Sequence, residues 1–331
     1  MTVALIKYPP TLYRADGQAR RVGVELEFAG LTLAEAAALV VDRTALRQEP
    51  ISDYEIKLTG DAAGDWHIER DQDLLKRMGR ERAAAQKEPG FLATTAEKAL
   101  DLGSQALVPL EIVSPPLDFD RLPECQDLVG ALRDAGAVGT EESVLFAFAL
   151  QLNPELPNLE TPTITRYLQS FGCLQDWLAE RCNIDAARKI TDYSALYPSA
   201  YLNVLLDSAY APNQAQLIDD YLEHNPTRNR ALDMLPLFSY LDKERVAAKV
   251  PDRKIKSRPT FHYRLPNSEV GKPGWTIFEA WTDWVTVEEI ADSPAQLKGL
   301  VDMRSSQLRE PFGEILADSA AGIDRWLREN R

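Results

Sequence analysis

Between residues 21 and 28 apolar and polar positions alternate, with Val22, Val24, Leu26 and Phe28 on one side and Gly23, Glu25 and Glu27 on the other. A period of two is that of a half-buried strand. Thr32 followed by Glu35 has the spacing of a capping box and predicts a helix over the Ala-rich run 33–46. The runs 51–60 and 65–71 flank the turn residues Gly60 and Gly64 and read as two strands, with a charged helix over 73–87 after them. The run 107–117 reads as a strand stopped by the Pro115-Pro116 pair, and 144–156 as a strand ended by Pro154. Both have the apolar character of central strands.

From 160 to 250 the apolar residues recur at three-and-four spacing, which predicts a helical insertion or subdomain. Strand character returns over 258–266, and two helices are expected near 286–302 and 308–329. Strands and helices are thus partly segregated along the chain, which favours an α+β fold with an antiparallel sheet over a doubly wound one. We read 1–331 as a single elaborated domain that contains the 160–250 insertion.

The formal charge of −14 disfavours nucleic acid as a partner, because binding to that backbone rests on Lys and Arg releasing counterions. No run of eighteen or more apolar residues is present, and Lys7, Pro9 and Pro10 interrupt the start before a signal-like core could form. Neither a membrane span nor export is therefore expected, and a cytoplasmic location is. Cys125, Cys173 and Cys182 have no CxxC spacing and read as buried free thiols. No phosphate-binding glycine loop of the Walker or GxGxxG kind occurs, and no serine nucleophile elbow.

Two glutamates at alternate strand positions place Glu25 and Glu27 on one face, about 6 to 7 Å apart at a rise of roughly 3.3 Å per residue. On an open face nothing follows from this; in a cleft the pair needs a cation, and Mg2+ suits carboxylate oxygens. Glu111 interrupts an apolar strand, so it either faces the same cleft or pairs with an arginine in the core. Gln151 and Asn153 share the face opposite Phe146, Phe148, Leu150 and Leu152, and His262 shares a face with Thr260 and Arg264. His67 and Glu69 alternate on their strand and are candidates for the same cleft. Arg188, Lys189, Arg228 and Arg230 are candidates for phosphate or an acidic substrate, against the simpler reading of solvated helix ends. Trp275, Phe278, Trp281 and Trp284 form an aromatic group whose simplest role is core packing.

Taken in order, GVELEF (23–28), LEIVSPPL (110–117), the strand bearing Gln151 and Asn153, and HYRLPN (262–267) resemble the amidoligase family, relatives of glutamine synthetase and gamma-glutamylcysteine ligase. LYPSAYLNVLLD (196–207) and NPTRNRALDMLPL (225–237) look like that family's helical segment, so the likeness spans about 20–285. The resemblance implies a curved antiparallel sheet of the glutamine synthetase catalytic type and an ATP- and Mg2+-dependent ligase. Such an enzyme joins a small-molecule or peptide carboxylate to an amine through an acyl phosphate.

Carried over position by position, the resemblance makes Glu25, Glu27 and Glu111 the metal-binding carboxylates. It makes Arg264 the residue that neutralises the transferring phosphate. Glu111 and Arg264 are then the catalytic pair, and Gln151, Asn153, His262 and Arg264 face the nucleotide. Gln151 and Asn153 stand where the family usually has histidines, and His262 where it usually has glutamate. His262 can there ligate a metal or handle protons near neutral pH. Two other functions stay open: phosphoryl transfer to a guanidino or related group, which the resemblance implies because related folds do this, and a scaffold that has lost catalysis, at which Gln151, Asn153 and His262 hint.

Overall fold

The structure, a computed structural model, describes residues 6–70, 109–140, 148–182, 194–309 and 316–330. The helix expected over 73–87 and the residues Phe146, Ala147, Arg188 and Lys189 lie outside them. The chain forms two compact units. Gly23–Gln151 with Asn267–Ile277 make the first, here called the sheet unit. Met1–Val22, Leu152–Pro266 and Phe278–Arg331 make the second, the helical unit. Helix and strand are mixed as expected, and the registered strand pairs are antiparallel.

In the sheet unit the strands run in the order β2 (Arg47–Ser52), β3 (Glu55–Thr59), β4 (Trp66–Arg70), β5 (Leu110–Val113) and β1 (Arg21–Phe28), and β6 (Leu117–Asp118) also pairs with β1. One face carries Val24, Leu26, Ile56, Leu58, Trp66, Ile68 and Ile112, all buried. Against it lie α1 (Leu33–Thr44) and α2 (Leu122–Asp134), with Ala36, Ala37 and Val40 of the first and Leu128, Val129 and Leu132 of the second in the core. The capping box forms: Thr32 Oγ1 accepts from the Glu35 amide at 3.2 Å, and Glu35 Oε2 accepts from the Thr32 amide at 2.8 Å. At Gly30 (φ 93°) the chain leaves β1 so close to its neighbour that a Cβ would sit 2.5 Å from the Gly136 carbonyl oxygen. No side chain fits there.

The single strand expected over 51–60 is in fact a hairpin. Asp53 and Tyr54 form the turn, and β2 is exposed along its whole length. Its polar sequence, Pro50 included, hides it from pattern reading, yet an edge strand tolerates proline because half of its amides need no partner. The sequence reading missed α2, although a proline in its first turn and apolar residues at Leu122, Cys125, Leu128, Val129 and Leu132 are the marks of an amphipathic helix.

In the helical unit β7 (Leu150–Pro154), whose first two residues count with the sheet unit, pairs with β9 (His262–Tyr263), and β9 with β8 (Leu232–Asp233). The helices are α3 (Thr161–Arg181), α4 (Ser199–Leu205), α5 (Gln214–His224), α6 (Leu235–Leu241), α7 (Lys243–Lys249), α8 (Ile277–Asp292), α9 (Pro294–Arg309) and α10 (Leu316–Glu329). The helical reading of 160–250 needs one correction, since Leu232–Asp233 is a strand held by β9. Its two residues are too few to show a period of their own. The C-terminal expectation also shifts: α8 starts at Ile277, and Pro294 begins a separate helix because its ring cannot continue the turn before it.

Trp281 and Trp284 are fully buried, whereas Trp275 and Phe278 are partly exposed. The Trp284 ring lies 5.2 Å from Phe261 and 5.5 Å from Tyr263, and Tyr167 stacks on Phe261 at 5.0 Å. Cys125 and Cys173 are buried free thiols and Cys182 is half-buried. Among the described residues no helix is long and apolar enough to cross a membrane.

A buried ion pair crosses this core. Both Arg20 and Glu288 have fully buried side chains, and Arg20 Nη1 and Nη2 donate to the two Glu288 oxygens at 2.7 and 2.8 Å. Trp284 Nε1 at 2.6 Å and Tyr167 Oη at 3.1 Å complete the carboxylate's shell, while Arg20 also donates to the carbonyls of Glu155 and Thr11. Removing one partner strands a buried charge. Arg20→Met is therefore expected to destabilise the protein by about 3–5 kcal/mol in urea unfolding, and Arg20→Met with Glu288→Met together by clearly less than the sum of the two singles.

Candidate functional site

The strand register of the sheet unit decides what its polar face presents. Glu27 pairs with Glu111 across β1 and β5, Glu111 with Glu69 across β5 and β4, and Glu69 with Glu55 across β4 and β3. Directly paired residues point to the same face. Four glutamates from four strands therefore form one row across the sheet. The next row holds Glu25, Val113, His67 and Lys57, so Glu25 and His67 flank the glutamate row on the same side. Glu111 lies on the same face of the sheet as Glu25, Glu27 and Glu69. His67 Nδ1 lies 3.2 Å from Glu55 Oε1, a partly exposed pair at the far end of the row.

The row begins in a buried place. Glu27 is nearly buried, and one of its oxygens, Oε2, accepts from the Ala149 amide at 2.7 Å while the Glu27 amide donates to the Ala149 carbonyl at 3.1 Å. That clamp orients the carboxylate. Burial, followed by the charges of Glu25, Glu27 and Glu69, pushes the Glu111 carboxyl well above the usual carboxylate range, and a hydrogen bond shared with Glu25 acts in the same direction. Glu111 thus keeps a proton where isolated glutamates have lost theirs.

Other sequence candidates lie elsewhere. Gln151 and Asn153 alternate on β7 and are both buried. In the helical unit His262 is buried and sits opposite Asp233 in the β8–β9 register. Burial first, then the charges of Arg264, Arg258 and Arg228, holds the His262 ring well below its ordinary value. That shift favours the uncharged imidazole. Arg264 Nη1 donates to the Arg228 carbonyl at 2.9 Å and lies 3.8 Å from Asp233 Oδ2. Asp233 is buried and its carboxyl is pushed up to about 6 by burial, with Arg264 acting against the shift. Arg230 donates to the carbonyls of Leu196 at 3.0 Å and His224 at 3.1 Å, so it closes the end of α5 and is committed to structure.

Sequence reading missed Asp233 and Glu55. The first falls in a run that reads as helix, and the second in a hairpin taken for one strand. A recess of about 810 Å³ in the sheet unit is bordered by Trp66, Asp61 and Arg121. Trp66 alternates with His67, so the recess adjoins the apolar face of β4 and not the glutamate row. Asp61 and Arg121 are joined there by paired bonds of 2.9 and 2.8 Å.

A family model described as "Putative amidoligase enzyme" matches residues 18–286. The chain belongs to the amidoligase family. No curated protein and no solved structure matches it. The matched stretch of this amidoligase contains the whole glutamate row together with Gln151, Asn153, Asp233, His262 and Arg264. A metal implied by the family meets donors of suitable chemistry in that row: carboxylate oxygens only, with a proton on Glu111 that a hard cation would displace. Among the described residues no group of three or more His, Cys, Asp or Glu is closed up tightly enough to hold a metal.

The raised carboxyl has a signed consequence. Between the ordinary value of 4.5 and its value in the fold, Glu111 binds a proton that the unfolded chain has lost, so stability falls as pH rises through that window. Each such group contributes a slope of up to about 1.4 kcal/mol per pH unit. Asp233 acts in the same sense only up to about pH 6. Melting temperature above pH 6 should therefore decline less steeply for Glu111→Gln than for the wild type, with the variant the more stable of the two at pH 8.

Proposed function

We propose that this amidoligase is an ATP- and Mg2+-dependent carboxylate–amine ligase that works through an acyl phosphate, on a sheet of the glutamine synthetase type. The observation that carries the proposal is the row Glu27, Glu111 and Glu69 with Glu25 beside it, in a chain of this family. Like-charged side chains so placed cost free energy unless a cation joins them. Mg2+, when bound, supplies positive charge against the nucleotide's phosphates. Glu25, Glu27 and Glu111 would hold it, and the hydrogen bond from the Ala149 amide keeps Glu27 oriented for that role.

A carboxylate is a poor electrophile. One of its oxygens attacks the terminal phosphorus of ATP, ADP leaves, and the acyl phosphate that results is open to the amine, whose attack expels phosphate. Arg264 has its role in that sequence: its guanidinium is anchored on the Arg228 carbonyl and neutralises charge that builds on phosphoryl oxygens. His262, held neutral, presents a dipole and adds no charge. Gln151 and Asn153 present amide groups towards the nucleotide, again without charge.

The assay is release of ADP and phosphate by purified protein with Mg2+, ATP, an amine and a carboxylic acid, with the amide identified by mass spectrometry. A stable phosphorylated product without amide would replace the ligase with a phosphotransferase. Absence of Mg-ATP binding at millimolar concentration would leave only a scaffold. Arg264→Ala is expected to lower kcat by about 10²-fold or more, in line with the loss of one group that stabilises transition-state charge. Glu25→Gln and Glu27→Gln should raise the Mg2+ concentration needed for half-maximal rate.

A further inference from the structure

The strand register of the helical unit sets two side chains of opposite charge side by side. Asp233 pairs with His262 across β8 and β9, and the Arg264 amide donates to the Ala231 carbonyl at 2.8 Å, which carries the same register one step past β9. Paired residues share a face, as do residues two apart on a strand, so Asp233, His262 and Arg264 stand together, with Asp233 and Arg264 diagonal to one another. Their side chains meet. Asp233 Oδ2 lies 3.8 Å from Arg264 Nη1, within reach of an ion pair though too far for a hydrogen bond. Both residues are anchored besides: Asp233 Oδ1 accepts from the Leu235 amide at 2.9 Å, Arg264 Nη1 donates to the Arg228 carbonyl at 2.9 Å, and the Arg264 carbonyl accepts from Ser194 Oγ at 2.9 Å.

The turn into α6 does not require a charge at position 233. Asparagine accepts from an amide two residues on as aspartate does, whereas a carboxylate only 1% exposed carries a desolvation cost that asparagine avoids. Arg264 and Arg228 favour the ionised form of Asp233, and Asp252 opposes it. The other titratable groups around it add no charge: burial holds the Tyr197 and Tyr221 hydroxyls well above their ordinary value, and His262 opposite favours its neutral form. Of these neighbours, Arg264 brings its guanidinium within ion-pair distance of the carboxylate.

We infer that Asp233 is a positioning residue for Arg264: its ionised carboxylate, oriented by the Leu235 amide, holds the guanidinium in the place from which it acts on phosphoryl oxygens. The inference rests on the ligase reading for what Arg264 does, and on the pair itself for how Arg264 is held. Burial sets the Asp233 carboxyl at about 6, so above that pH the pair is intact and below it the carboxyl is neutral and the hold is lost.

Urea unfolding of the full-length wild type, Arg264→Gln, Asp233→Asn and the double variant tests the pair without nucleotide or substrate. At pH 8 the cycle is expected to show about tenfold coupling in the unfolding equilibrium constant, and at pH 5 roughly twofold or less. If Asp233→Asn does not fold, Arg264→Gln alone reads the same pair, because its loss of stability is expected to be larger at pH 8 than at pH 5. Absence of coupling at pH 8, or an equal loss at the two pH values, overturns the inference. In the ligase assay Asp233→Asn is expected to lower kcat about tenfold with KM for ATP within roughly twofold, to lose the fall in rate that the wild type shows below about pH 6, and to add nothing on an Arg264→Ala background. An unchanged kcat overturns the positioning role. A wild type that releases no ADP strikes the ligase reading and leaves the measured coupling standing, whereas missing coupling leaves the ligase reading untouched.

Discussion

Strand register is the constraint on which the candidate chemistry depends. Side chains alternate along each strand, so a slip of one residue in β5 would turn Glu111 into the apolar layer and bring Ile112 or Leu110 to the polar face. The apolar residues prevent this. Ile112 is paired with Leu26 on one side and Ile68 on the other, and all three are buried beneath α1 and α2. The burial that stabilises the back of the sheet therefore fixes the carboxylates on its front.

Each unit solves its electrostatic problem differently. In the helical unit the Arg20–Glu288 pair is deeply buried, yet every strong donor and acceptor around it is used, by Trp284, Tyr167 and two backbone carbonyls. It is a closed network, suited to joining the N-terminal segment to α8. In the glutamate row of the sheet unit the Glu111 carboxyl is held well above the usual carboxylate range by burial and by Glu25, Glu27 and Glu69, so a cation binding there would have to replace its proton. The region around His262 has the opposite sign, with three arginines acting on one neutral ring.

These contrasts assign different work to residues of similar type. Arg230 and Arg228 lie two positions apart, yet Arg230 is spent on the carbonyls that end α5, whereas Arg228 has no carboxylate partner among the described residues. Glu155 follows β7 directly and Glu111 lies on β5. The first is held by Arg14 and Arg21, and the second lies among other acids. Residue type and exposure alone do not separate such pairs; their neighbours do.

By itself the sequence determined the elements with a strong period or a cap: β1, the capped α1, β4, the apolar strand around Glu111 and the long amphipathic α3. It also determined that Glu25 and Glu27 share the polar side of β1, because alternation is local and needs no partner, but it left Glu111 between two readings, and of the strand expected over 258–266 only His262–Tyr263 forms, with Arg264 just beyond it. It did not determine the β2–β3 hairpin, the two-residue β8 or the break at Pro294, where pairing with a distant strand or the geometry of one ring overrides local pattern. Only the tertiary structure decided that Glu27, Glu111, Glu69 and Glu55 fall in one line and that Asp233 stands opposite His262. Register between strands far apart in the chain is set by how their apolar faces fit together, and no window of neighbouring residues contains that information.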